Sequence, residues 1–202
     1  MKYLKIFAIA FILMNAFFFS VPLFLNQGFD VHYSKSLPIE SKTQVFELLA
    51  DFHKHVGWDP WFKADTSITK TVSKPSRGLG ASYTWSSEHS GEGKQVITEF
   101  IEGQLIQSDF DFGEMGQAQG SFSLKEHEGA IIVTWRFWGP ASGYVGRYMA
   151  HFMDTMMLPI MKKGLDDVAV ILKDLPDTSP TPSDGIHNRS NPVDSISVQV
   201  DL

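Results

Sequence analysis

Ser121-Phe122-Ser123-Leu124-Lys125-Glu126-His127-Glu128-Gly129-Ala130-Ile131-Ile132-Val133-Thr134-Trp135-Arg136-Phe137-Trp138 contains two runs of alternating character joined by a turn. Phe122 and Leu124 oppose Ser121, Ser123 and Lys125; Ile131, Val133, Trp135 and Phe137 oppose Ile132, Thr134, Arg136 and Trp138. A period of two marks strands with one face toward a core, and Glu128-Gly129 supplies the turn of a hairpin. The same period extends upstream. Leu79, Ala81, Tyr83 and Trp85 share one face, and Phe110 and Phe112 oppose Asp109 and Asp111. Turn signals at Pro75-Ser76-Arg77-Gly78, Ser90-Gly91-Glu92-Gly93, Glu102-Gly103 and residues 113–116 separate the runs. Six strands at hairpin spacing, with no helix between them, predict an antiparallel meander with one aromatic and one polar face.

Downstream, Gly139-Pro140 ends the sheet and residues 141–175 return to a helical period. Val145, Met149, Phe152, Met156, Ile160, Val168, Leu172 and Leu175 form an apolar stripe, interrupted by Pro159, which is expected to kink the helix, and by Gly164, which leaves room beneath it. Upstream, residues 29–39 read as a strand, with Val31 and Tyr33 favouring one. Ser41 is placed to cap a short helix carrying Val45, Phe46, Leu48, Leu49 and Phe52. Residues 53–62 are irregular and aromatic, with Trp58, Trp61 and Phe62 around Asp59-Pro60. The order is strand, short helices, six strands, long helix. The long helix is the only element able to cover so wide an aromatic face. A curved sheet around one helix encloses space, and Met149, Met153, Met156, Met157 and Met161 face or flank it. Methionine suits irregular apolar gaps and varied ligands.

The 202-residue chain has no cysteine, which removes disulfide scaffolds and thiolate metal sites. Its first 25 residues hold two lysines, seven aromatics and no acid, leaving 15 basic against 23 acidic residues beyond them, a balance of −8. That balance argues against nucleic acid as a partner. Residues 6–25 are uncharged, and twenty helical residues span about 30 Å, the thickness of a bilayer core. Lys2 and Lys5 precede this run, so the positive-inside rule keeps the N-terminus cytoplasmic and the rest on the extracytoplasmic, or periplasmic, side. A cleaved signal peptide competes with an uncleaved anchor. The run is longer than a signal core, and Phe17, Phe18 and Phe19 stand where small residues are needed for cleavage. Residues 176–202 hold four prolines, five serines and no aromatic, and read as a flexible tail. Within it, residues 195–200 alternate like a short strand, and Asn188-Arg189-Ser190 matches a glycosylation pattern.

Residues 29–175 resemble the SRPBCC superfamily, which has the helix-grip fold and includes START-like lipid-transfer domains. The nearest resemblance is to its polyketide cyclase/dehydrase and lipid-transport branch. The residues that carry it are Val45-Phe46-Glu47-Leu48-Leu49-Ala50-Asp51-Phe52 followed by Trp58-Asp59-Pro60-Trp61, Gly78-Leu79-Gly80-Ala81-Ser82-Tyr83-Thr84-Trp85, Val133-Thr134-Trp135, and residues 153–165 with Gly164-Leu165. The resemblance implies an α+β helix-grip fold, a curved antiparallel sheet wrapped around a long C-terminal helix and preceded here by one transmembrane helix. Membrane-tethered members of the branch start similarly. Some relatives carry a second ligand-binding domain after such a linker, so the tail reads either as a plain flexible extension or, as a hypothesis, as the remnant in a shortened relative that lost that domain. The expected division is an anchor over 1–27, a helix-grip domain over 28–175 and a tail over 176–202.

Chemistry is sparse. Asp109, Asp111, Lys125 and Arg136 share the polar phase, and Glu99 falls where the phase is ambiguous. Tyr83, Trp85, Trp135 and His151 are the polar groups expected in the cavity, and no GxSxG, P-loop or HExxH pattern is present. His53-Lys54-His55 is expected at the surface, without a metal, since a metal site needs three or four convergent ligands. Trp58, Trp61 and Phe62 are either a plug at the end of the sheet or a mouth over the cavity. The ligand-contacting set is Trp58, Trp61, Phe62, Tyr83, Trp85, Phe110, Phe112, Phe122, Trp135, Phe137, Met149, Phe152, Met153 and Met156. No cofactor and no catalytic residue are expected. The reading is a membrane-tethered domain, partnered with the membrane through its N-terminal helix, that binds an apolar or amphipathic small molecule such as a lipid or polyketide. A cyclase- or dehydratase-like enzyme and an envelope interaction protein with a filled core are the alternatives, and the sequence names no protein partner.

Overall fold

The computed structural model describes residues 2–141 and 143–174. The tail, its Asn188 sequon and the alternating residues 195–200 lie outside the described residues. The elements follow the expected order: α1 (Lys2–Ser20), β1 (Gly28–Pro38), the short helices α2 (Lys42–Ala50), α3 (His55–Trp58) and α4 (Pro60–Ala64), then β2 (Thr69–Val72), β3 (Ser82–Ser87), β4 (Gly91–Ile101), β5 (Leu105–Asp111), β6 (Gln117–His127), β7 (Ala130–Pro140) and α5 (Gly143–Asp174). The strands form one antiparallel sheet in the order β1-β7-β6-β5-β4-β3-β2. β1 closes the meander by pairing with β7 over its whole length, from Gly28 opposite Pro140 to Pro38 opposite Ala130. The chain then crosses to the far edge through α2–α4, and α5 fills the concave face. This is an α+β helix-grip architecture.

The inner face is the apolar one. Ile106, Phe122, Leu124, Ile131, Val133 and Trp135 are buried, whereas Asp109, Lys125 and Arg136 are exposed. The register slips at a β-bulge between Ile97 and Glu99, which leaves Thr98 and Glu99 both outside and returns Phe100 to the inner face. That extra residue is the source of the ambiguous phase in the sequence. Two expectations are corrected. Leu79 is 70% exposed, because Gly78 and Gly80 on either side take positive φ (88° and 79°) and the strand phase begins only at Ala81. Ser41 sits at the start of α2 without capping it. Its hydroxyl donates instead to the Pro38 carbonyl at 2.7 Å, because a 3₁₀ turn over Ile39–Ser41 leads into the helix.

α5 is held along its second half only. Met157, Met161, Leu165 and Val168 are buried against the sheet and α2–α4. Full burial of such side chains is worth about 1.5–3 kcal/mol each as an upper estimate. The ion pairs flanking them, Lys35–Asp166 at 2.5 Å and Lys63–Asp167 at 2.9 Å, are partly solvated and contribute at most about 1 kcal/mol each, so packing dominates the grip. The first half behaves differently from the expected cover. Val145, Met149, Phe152 and Met156 are 76%, 46%, 55% and 49% exposed, because the sheet reaches the helix through the neighbouring stripe that includes Met153 and Met157. Pro159 lies inside α5 without ending it.

Gly164 fixes the depth of the grip. A Cβ built there would stand 2.7 Å from Cζ3 of Trp135, which is itself wedged against Trp58 and Phe122, and 3.3 Å from Cδ of Pro60. Gly164→Ala should therefore destabilise the fold by about 1–3 kcal/mol through overpacking, despite the gain of about 1 kcal/mol in helix propensity. Urea denaturation followed by circular dichroism checks this. A stabilised variant would mean that the indole yields freely.

Candidate functional site

Between the sheet and the first half of α5 lies a cavity of about 490 Å³. That volume falls within the roughly 300–1,000 Å³ of small-molecule sites. The period-two strands aim Tyr83, Trp85, Ile106, Phe110, Phe122, Trp135 and Phe137 at it, α4 adds Trp61 and Phe62, and α5 covers it with Met153, Met156, Met157 and Ile160. A smaller space of about 230 Å³ adjoins it, sharing Phe112, Met115, Phe137 and Met153.

Twelve of the fourteen expected contact residues line the main cavity: Trp58, Trp61, Phe62, Tyr83, Trp85, Phe110, Phe112, Phe122, Trp135, Phe137, Met153 and Met156. Met149 lines only the smaller space, and Phe152 lines neither, since its side of α5 faces outward. The plug and the mouth are different residues. Trp58 is buried, and its indole Nε1 donates to the Leu48 carbonyl at 2.9 Å, which makes it the plug. Trp61 is 38% exposed while lining the cavity, which places it on the rim.

The polar wall departs from expectation. His151 is exposed and does not reach the cavity. His55, expected at the surface, is buried in the wall, because the short turn of α3 folds it under α2 beside Phe52, Trp58 and Tyr83. Its Nε2 lies 2.9 Å from the Leu49 carbonyl, so Nε2 carries the proton, and Nδ1 is a buried acceptor with no partner. Asp59 is buried beside it. One carboxylate oxygen accepts the Trp61 N–H at 3.0 Å and caps α4, with Pro60 at the first helical position. Gln95 and Ser108 are buried on the same inner face, while the Ser90 hydroxyl is committed to Asp65 at 2.6 Å. Gln95 is in phase with Ile97, and Ser108 with Ile106 and Phe110; the bulge in β4 and the short polar side chain in β5 hid both. An Asp before Pro reads as a helix cap, and nothing local in the sequence announces its burial.

Burial pushes Asp59 up to about 6, against the opposing pull of the Trp61 N–H and the Lys70 ammonium. Burial, together with the same ammonium, pushes His55 down to about 3, so its ring is neutral. Lys70 is lowered to about 8 by burial, opposed by Asp59 and Asp51; its Nζ donates to the Phe52 carbonyl at 2.7 Å and lies 4.0 Å from the Tyr83 ring centroid. Tyr83 is raised well above its ordinary value by burial and by Asp59, so its phenol stays protonated. The wall thus offers a bare imidazole nitrogen, a carboxyl that titrates near neutrality and a phenol donor. Among the described residues there is no cluster of three or more metal-ligating side chains.

No family model matches the sequence, and a search of curated proteins finds no match. Solved structures share the fold at low identity. A protein of unknown function, SA2116 from Staphylococcus aureus, is 9% identical with a TM-score of 0.58, over 74% of this chain and 96% of its own. MLL2253 from Mesorhizobium loti is 9% identical at a TM-score of 0.52, over 72% and 97%. DynU16, a putative protein in the dynemicin biosynthetic locus, is 13% identical at 0.50, over 73% of this chain and 48% of that one, so the chain spans about half of its length. At these identities the likeness establishes the fold alone.

The two buried groups oppose each other in pH. Folded Asp59 keeps its proton up to about 6 while the unfolded chain releases it near 3.8, so its contribution to stability falls as pH rises through that window. Folded His55 stays neutral to about 3 while the unfolded chain protonates below 6.5, so its contribution is lost as pH falls. Asp59→Asn keeps a capping oxygen and removes one slope. From pH 6 to pH 4 the variant should lose about 2–3 kcal/mol more stability than the parent, at about 1.36 kcal/mol per unit. Urea titrations at each pH check this, and parallel profiles would contradict the raised titration of Asp59.

Proposed function

We propose that this chain is a membrane-tethered helix-grip domain of the SRPBCC type that binds an apolar or amphipathic small molecule, lipid-like or polyketide-like, in its cavity. The observation that carries this reading is the open 490 Å³ space lined by aromatic and methionine side chains, with a few buried polar groups gathered on one wall. A domain acting only through protein contacts has no need of such a void, since packed interiors leave few spaces larger than a water molecule. The structural likeness to DynU16 is consistent with a place near small-molecule chemistry. α1 is one helix of 19 residues, apolar enough to cross a membrane or to act as a signal sequence. We take it as an uncleaved anchor, cytoplasmic at Lys2 and Lys5, with the body on the extracytoplasmic side. The bare Nδ1 of His55 and the Asp59 carboxyl on one wall favour a second reading, general acid–base work on the bound molecule.

The full chain in mild detergent, titrated with parinaric acid and excited through its tryptophans, should show saturable energy transfer, because Trp61, Trp85 and Trp135 line the cavity. Ser108→Phe places a ring in the void and should abolish the transfer while leaving the circular dichroism spectrum and melting temperature of the fold in place. Undiminished binding in that variant would put the probe elsewhere and overturn the reading.

A further inference from the structure

α5 carries two apolar stripes in its first half, and the sheet uses only one. The other is Val145, Met149, Phe152 and Met156, at spacings of four, three and four, 46–76% exposed. At 3.6 residues per turn these four fall within about 60° of arc, a narrow and continuous strip. Asp154 is the only acidic residue between Gly143 and Lys162, and it projects about 200° round the helix from Phe152. A solvent-facing helix surface is ordinarily polar, and an apolar strip of this kind marks a contact.

The strip starts where α5 is fastened to α1. The Tyr148 hydroxyl donates to the Phe18 carbonyl at 2.6 Å, and Arg147 Nη1 donates to the Pro22 carbonyl at 2.9 Å. The Tyr148 ring stacks on Phe18 at 5.2 Å, and Tyr144 meets Phe19 edge-on at 6.0 Å. α1 has no buried residue and, at 19 residues, is about 28 Å long, close to one bilayer core. With Lys2 and Lys5 at one interface, Phe18 to Pro22 lie at the other. Tyr144, Arg147 and Tyr148 then sit at the level where tyrosine anchors and arginine snorkels. The strip ends at Met156, which is 49% exposed and also lines the cavity, as does Met115, a 72% exposed residue from the connection between β5 and β6.

We infer that this strip and the cavity mouth rest on the surface of the membrane that α1 crosses, so that an amphipathic molecule passes between the outer leaflet and the cavity without entering bulk water. The occupant is the domain's own bilayer, because the strip is continuous with the exit end of the anchor at one end and with the mouth at the other. The inference rests on reading α1 as a membrane anchor.

The cysteine-free chain permits single-site labelling. The test uses the full chain in phosphatidylglycerol–phosphatidylethanolamine vesicles, spin-labelled at Val145→Cys, Phe152→Cys or Met156→Cys. Phe11→Cys probes α1, and Lys125→Cys probes the end of the sheet remote from Pro140. Collision with oxygen is compared with collision with a water-soluble nickel chelate. The three strip labels are expected to lose chelate access relative to Lys125→Cys and to read shallower than Phe11→Cys. Strip labels as aqueous as Lys125→Cys, with Phe11→Cys deep, overturn the docking and leave the anchor intact. An aqueous Phe11→Cys overturns the anchor and the docking together. Strip labels shielded from both reagents and broadened by spin–spin coupling would assign the strip to a second copy and overturn the inference.

Discussion

The approach of α5 to Trp135 and Pro60 at Gly164 determines where the rest of the molecule has matter and where it has space. Because that position has no side chain, the second half of the helix sinks until Met161, Leu165 and Val168 are sealed. A helix seated deeply at one end of a concave sheet stands off at the other. The gap on that side is the cavity, and methionines span it because their flexible side chains reach across an irregular surface. The grip and the void are therefore two results of one contact. A mutation at the gripped end acts on the pocket without touching it.

The pocket wall carries its own constraint. A buried carboxyl and a buried imidazole each cost free energy, and the sequence places both beside the ammonium of Lys70. That single positive charge favours ionised Asp59 and disfavours protonated His55, so it separates the roles of two groups that stand close together. Tyr83 closes the arrangement as a donor whose proton is secured by its surroundings. The wall therefore sets polar groups of opposite character, a carboxyl that titrates near neutrality and a neutral imidazole, against a cavity otherwise lined by rings and methionines.

The sheet was legible because its faces alternate. Ile131, Val133, Trp135 and Phe137 need only a period of two to declare their side, and the hairpin turns are marked by glycine. Reading failed where one residue altered the phase: at the bulge in β4, which hid Gln95, and at Gly78 and Gly80, which turned Leu79 outward. The apolar stripe of α5 was visible, but periodicity cannot say which of two adjacent apolar faces meets the sheet, so Met149 and Phe152 were assigned inward. His55 and Asp59 were hidden for a different reason. Their burial comes from a turn between short helices, and short helices leave almost no periodic signature.

The pairing of β1 with β7 also determines how the domain bears load. The chain leaves α1, enters β1 at Gly28, and there lies beside Pro140, the residue at which β7 ends before α5. A pull on α1 along the strand is therefore taken in shear, with the rungs of an eleven-residue antiparallel ladder loaded together rather than peeled one at a time. The bidentate Arg136–Asp30 pair, which crosses the Val31–Phe137 rung diagonally, adds a cross-tie near the loaded end. Force that enters the body through α1 is thereby shared along the whole strand pair before it reaches the inner strands of the sheet.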